Sequence, residues 1–96
     1  MMNDYVTPEL FHKYHKLSTE ALAIAQNAPI NDIDASQEIF SMVQNYLDDA
    51  KHFFSQNDYV RAFAAVNYAH GWLDCGARLK VYTVTDNHYF TEDGQD

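Results

Sequence analysis

Apolar residues return at steps of three and four along most of this chain, which is the period of helices with one buried face. The first stripe is Leu10, Tyr14, Leu17, Ala21, Ile24 and Ala28. Thr7-Pro8-Glu9 precedes it as a start signal: Thr7 supplies a capping oxygen, Pro8 suits the first helical position and Glu9 meets the positive end of the dipole. Pro29 ends it, because its ring disfavours a helical residue before it. The pattern predicts a helix over 8–27. After the connection "INDIDAS", with Asp34 or Ser36 as the cap, a second stripe follows: Ile39, Val43, Tyr46, Ala50 and Phe53, widened by Phe40, Leu47 and Phe54. Glu38, Gln44, Asn45, Asp48, Asp49, Lys51 and His52 fall on the other side, so a second amphipathic helix is predicted over 36–56.

"SQNDY" breaks the second helix. Asn57 suits a left-handed C-cap and Asp58 suits the next N-cap, and so short a link turns the third helix back antiparallel. That helix, predicted over 59–79, is apolar around most of its girth. One stripe holds Tyr59, Phe63, Val66, His70, Leu73 and Ala77; the other holds Ala62, Ala65, Ala69, Trp72 and Leu79. Two stripes require two neighbours, which places it between the first two helices. The predicted fold is therefore an all-α antiparallel three-helix bundle. Residues 80–96 are predicted to be an extended arm, because Val81 to Thr85 favour extended backbone, and Val84, Tyr89 and Phe90 are expected to dock.

The stretch "NYAHGWLDCGARL" is the densest in chemistry. Arg61, Ala64, Asn67, Tyr68, Gly71, Asp74 and Arg78 face outward on the third helix. A mid-helix glycine costs about 1 kcal/mol relative to alanine. Gly71 therefore either leaves room for Trp72, Tyr68 or the arm, or allows another backbone or a ligand to approach closely. Asn67, Tyr68, Gly71, Asp74 and Arg78 form the candidate binding surface, with Asp74 and Arg78 spaced as an i,i+4 ion pair. Gly76 is expected to end the helix or to let the first helix cross closely.

Composition narrows the function. Ninety-six residues make one small domain. A net charge of −8, from six Lys and Arg against fourteen Asp and Glu, disfavours nucleic-acid backbones and anionic membranes as partners. The single cysteine, Cys75, cannot form an intrachain disulfide, and "MMNDYVTPEL" lacks the pattern of a signal peptide. With no apolar run long enough to span a bilayer, the expected address is the cytoplasm.

Catalytic and metal chemistries find little support. The five histidines are His12, His15, His52, His70 and His88. Asp49 with His52, and His70 with Asp74, have ligand spacings, but the hairpin separates the pairs by roughly 10 Å along the axis, too far for one zinc shell. No metal and no cofactor is expected. Cys75 lies about 140° round the helix from His70, so the two do not face each other, and Cys75 is read as a buried, inert thiol. His12, Lys13, His15 and Lys16 make a local basic patch on the first helix that could complement an acidic surface of a second copy.

The stretch 46–79 resembles the archaeal family called domain of unknown function 357. The residues that carry the resemblance are Tyr46, Asp49-Ala50, Phe53, Asp58-Tyr59, Ala62, Ala65 and then Tyr68-Ala69-His70-Gly71-Trp72-Leu73-Asp74, with the aromatic tail "TDNHYFT". Cys75 and Lys80 depart from the pattern, where small residues are expected. The resemblance implies a three-helix bundle. It also implies an accessory role near nucleotide chemistry, since some relatives are fused to nucleotidyltransferase-like domains. The hairpin is similar too, more faintly, to HEPN and tetratricopeptide hairpins, but the HEPN Arg–His catalytic spacing is absent, with eight residues between Arg61 and His70. The sequence reads as a non-enzymatic module that binds a protein partner or itself as a homodimer. The alternative is a nucleotide- or small-ligand-binding accessory domain that works with a nucleotidyltransferase-like partner and uses Tyr68, His70, Asp74 and Arg78.

Overall fold

Thr7 starts α1 (Pro8–Gln26): its backbone is extended and its side chain accepts the Leu10 N–H at 3.1 Å. A computed structural model describes residues 7–85 and 89–90. α2 (Ile33–Ser55) begins earlier than the hydrophobic pattern predicts, because Asp32, rather than Asp34 or Ser36, is its cap. The Asp32 side chain accepts the Ala35 N–H at 3.0 Å. What selects Asp32 is distant in sequence. The N–H groups of Asn31 and Asp32 both donate to the Val81 carbonyl, at 2.8 and 3.2 Å, and hold the loop in place. Ser36 is instead buried in the first turn, donating to the Ile33 carbonyl at 2.7 Å.

Three residues join α2 to α3 (Tyr59–Arg78). Asn57 takes the left-handed conformation at φ 62°. The N–H groups of Asn57 and Asp58 return to the carbonyls of Phe54 and Phe53, at 3.0 and 2.9 Å, in the Schellman pattern. Asp58 then caps α3 by accepting the Arg61 N–H at 3.2 Å. The C-terminus of α3 repeats the device. Val81 N–H reaches the Gly76 carbonyl at 2.9 Å and Lys80 N–H reaches Ala77 at 3.1 Å. Here the left-handed position, φ 60°, belongs to Lys80. A side chain in that region costs roughly 1 kcal/mol or more, and glycine's freedom when unfolded recovers only part of it. Lys80→Gly is therefore expected to raise the urea unfolding free energy by about 0.5–1 kcal/mol. A drop would show that the lysine side chain contributes more than its backbone strain removes.

α1 and α3 run parallel, and α2 runs antiparallel to both. Tyr14 meets Phe63 while Ser18 meets His70; Phe11 stacks on Phe54 while His15 reaches the Leu47 carbonyl; Tyr46 stacks on Tyr68. The fold is an all-α three-helix bundle. α3 touches both other helices, with α2 its main neighbour. Ala62, Ala65 and Ala69 are buried, and with Ala50 they let α2 and α3 approach closely. Trp72 and Leu79 do not continue that stripe inward, being 38% and 70% exposed. The buried line runs through Ala62, Ala69 and Gly76, seven residues apart, and Trp72 and Leu79 lie off its outer edge.

The segment after α3 is a strap. Tyr82 forms an isolated antiparallel bridge with Ile30, Thr83 N–H donates to the Pro29 carbonyl at 3.0 Å, and the Asn31 amide donates to Lys80 O and Thr83 Oγ1. Tyr82 is fully buried and its hydroxyl donates to the Leu73 carbonyl at 2.6 Å. Burial above all, then the charges of Asp74 and Cys75, push its phenol well above the ordinary tyrosine range. Val81, Val84 and Phe90 are buried with it, so the arm docks on the bundle. The expected arm positions 86–88, including His88, and 91–96 lie outside the described residues. No helix among the described residues is long and apolar enough to cross a membrane.

Candidate functional site

The α2–α3 contact turns the opposite side of α3 outward. Arg61, Ala64, Asn67, Tyr68, Gly71, Cys75 and Arg78 are exposed there, and Asp74 is half-buried. Apart from its two chain neighbours and the adjoining helix backbone, nothing lies within 4 Å of where a Cβ would stand at Gly71. The space is therefore not filled by Tyr68 or by the described part of the arm. Gly76 is the packing glycine: a Cβ there would come within 2.7 Å of Tyr82 Cζ. Its role is to seat the strap's ring, not to admit α1.

Gly71 floors a shallow hollow of about 300 Å³, walled by Tyr68 and Trp72 and closed by Asn67 and Cys75. Tyr68 is 63% exposed and rests its ring on Tyr46, with centroids 5.6 Å apart. On the far side of Tyr68 lies a second hollow of about 200 Å³ floored by Ala64 and lined by Tyr46, Asp49, Phe53 and Arg61. Arg61 reaches Asp58 at 3.5 Å and lies over the Phe53 ring.

A third groove, about 350 Å³, runs between α1 and α3 past Tyr14, Ser18, Asn67, His70, Gly71 and Asp74. His70 Nδ1 meets Ser18 Oγ at 3.0 Å, and Nε2 donates to the Tyr89 carbonyl at 2.7 Å. Asp74 turns to this side, its Oδ1 3.9 Å from His70 Nε2. The Asp74–Arg78 pair expected from spacing is therefore replaced by Asp74–His70, and Arg78 makes no ion pair among the described residues. Tyr89 Oη donates to Glu20 at 2.9 Å, fastening the arm across the α1 side.

Of the candidate residues, Asn67, Tyr68 and Gly71 share the outer hollow, and Asp74 belongs to the α1 groove with His70. Arg78 stands about two turns beyond Gly71 and lines none of the three depressions. Trp72 and Cys75 complete the hollow and were not expected in it. The apolar girth of α3 predicts Trp72 inward, yet it is 38% exposed. Cys75, which residue type predicts to be buried, is exposed. The basic patch on α1 is partly absorbed by packing, since His15 Nε2 lies 3.2 Å from the Leu47 carbonyl and His12 sits edge-on to Phe54. Among the described residues, no three His, Cys, Asp or Glu side chains cluster as a metal shell would require.

Residues 13–82 match the model of a family described as a protein of unknown function, DUF357. The chain belongs to this family. The match spans the outer hollow, Gly76 and Tyr82, and stops short of Tyr89 and Phe90, so the strap's anchoring ring lies within the DUF357 region and the arm's outer end lies beyond it. No curated protein and no solved structure matches the chain.

Proposed function

We propose that this DUF357 protein is a non-enzymatic interaction module whose outward α3 face docks against a protein partner or a second copy of the chain. The observation that carries the reading is the open space at Gly71 beside two exposed aromatic rings. A mid-helix glycine that no side chain beyond its two chain neighbours presses on forfeits about 1 kcal/mol of helix stability. Close approach of another surface offsets that cost, and Tyr and Trp are favoured anchors in such contacts. Action in the cytoplasm fits a chain whose single thiol is exposed and unpaired by any second cysteine.

The nucleotide- or small-ligand reading draws on the α1–α3 groove, where Ser18, Asn67, His70 and Asp74 bring polar groups together. It ranks second because both ring nitrogens of His70 are already engaged within the chain. The deciding experiment is chemical denaturation of Gly71→Ala at dilution. A gain of about 0.5–1 kcal/mol is expected, since the methyl enters open space. A loss would return Gly71 to the fold and remove the observation on which the interaction reading rests.

A further inference from the structure

We infer that the partner of the α3 face is a second copy of this chain, packed antiparallel about a two-fold axis between Gly71 and Trp72. The inference rests on the interaction reading above and adds the partner's identity. Tyr68, Gly71, Trp72 and Cys75 are spaced i, i+3, i+4 and i+7, the four-residue hole that receives a side chain from a facing helix. The second hollow is floored by Ala64, seven residues before Gly71, so the two hollows repeat at about 10 Å along the helix. The same strip carries two exposed apolar side chains at that spacing, Trp72 and Leu79.

Reversing one α3 on another about that axis sets Gly71 opposite Trp72, Ala64 opposite Leu79 and Tyr68 opposite Cys75. Each layer pairs a large side chain with a small one, and every pair occurs twice, as a self-complementary two-fold interface requires. Charge selects the same face. The chain holds fourteen carboxylates, and Asp34, Glu38, Asp48 and Asp49 are exposed on α2. The α3 strip itself points none outward, because Asp74 is turned to His70, and the one α2 carboxylate at its edge, Asp49, lines the second hollow together with the cationic Arg61. Two copies at −8 each therefore meet with least repulsion through α3.

Area sets the strength. At side-chain areas on the order of 200 Å², the exposed parts of Tyr68, Trp72 and Leu79 amount to roughly 300–350 Å² per copy. With Arg61, Asn67 and Arg78 at the rim, the pair buries about 1,200 Å², the lower edge of specific interfaces. The dimer is accordingly weak and concentration-dependent, and added salt strengthens it by screening the net charge.

Cys75 supplies a test specific to this register. In Tyr68→Cys, the new thiol faces Cys75 of the second copy, and diamide, by accepting two electrons and two protons, joins the two thiols as a disulfide. The two cysteines within one chain are about 10 Å apart along the helix and cannot bridge. Two native Cys75 thiols are equally far apart across the axis, as are the two new thiols in Tyr68→Cys/Cys75→Ser. The expected result is a covalent dimer on a non-reducing gel for Tyr68→Cys alone, with wild type and the double variant remaining single chains. Light scattering should show the wild-type mass rising toward two chains with concentration, and Gly71→Arg, checked as folded by circular dichroism, remaining at one. A wild type that stays at one chain with no cross-link in Tyr68→Cys would overturn the second copy as partner. Cross-linking of wild type as efficient as that of Tyr68→Cys would overturn the register. Neither outcome bears on Gly71→Ala, whose stability change tests the interaction reading separately.

Discussion

Gly76→Ala is expected to lower the unfolding free energy by about 2–4 kcal/mol, the opposite sign to the same change five residues earlier. The added methyl would stand 2.7 Å from Tyr82 Cζ and 2.8 Å from Cε2. An exposed tyrosine would swing aside, but Tyr82 cannot. Its ring is fully buried against Phe40, its hydroxyl is bonded to the Leu73 carbonyl, and its backbone is bridged to Ile30. Relief requires either losing the hydroxyl's bond, worth about 1 kcal/mol plus the desolvation of what it leaves, or lifting the strap from the α1–α2 loop. The helix-propensity gain of alanine, about 1 kcal/mol, offsets only part of this. Urea denaturation of both alanine variants measures the contrast. Equal effects at positions 71 and 76 would mean that Tyr82 yields more easily than its anchoring implies. Tyr82→Phe in the Gly76→Ala background supplies a check: removing the hydroxyl should recover part of the loss, because Oη is the atom closest to the new methyl.

The two glycines show how far the sequence can be read. Helical periodicity, the capping residues Thr7 and Asp58 and the short "QND" link specify three helices and their directions, because each signal is local and acts within one turn. The cap of α2 is legible only from afar: Asp32 is chosen over Asp34 and Ser36 by hydrogen bonds to Val81. The outward positions of Asn67, Tyr68 and Gly71 follow from counting around the helix. Which glycine is packed does not, since the ring that fills the Gly76 notch arrives from a segment that reads only as an extended arm. Trp72 and Cys75 differ from expectation for a related reason. On a helix apolar nearly all round, periodicity places the centre of the outer face but not its edges, and hydrophobic type alone assigns both residues inward. Their exposure follows from where α2 sits, a tertiary fact. The replacement of Asp74–Arg78 by Asp74–His70 is of the same kind, because Tyr89 and Ser18 hold the imidazole where Asp74 can reach it.

His70→Ala is expected to destabilise the fold by about 2–4 kcal/mol and to release the outer end of the arm. The imidazole joins three parts of the chain. It binds Ser18 on α1, which is 1% exposed, and the Tyr89 carbonyl on the arm, from its own place on α3. Truncation strands a buried hydroxyl and a carbonyl, each worth about 1–3 kcal/mol when left unpaired, and opens a cavity where the ring stood. Phe90, 2% exposed, follows Tyr89 and loses its seat beside Tyr82. The expected signature is faster amide hydrogen exchange at Phe90 with little change at the α2–α3 link, together with a lower urea midpoint. Tyr89→Phe is the matched control. It removes the 2.9 Å bond to Glu20 and should cost under about 1 kcal/mol, leaving the carbonyl anchored. A His70→Ala protein within about 0.5 kcal/mol of wild type, with Phe90 exchange unchanged, would refute the latch. The comparison also bears on ligand binding in the α1–α3 groove. A histidine already committed on both nitrogens can turn to a bound molecule only by letting go of Ser18 or the arm. Any ligand using it must therefore supply at least what the latch contributes, and its binding would loosen Phe90 rather than rigidify it.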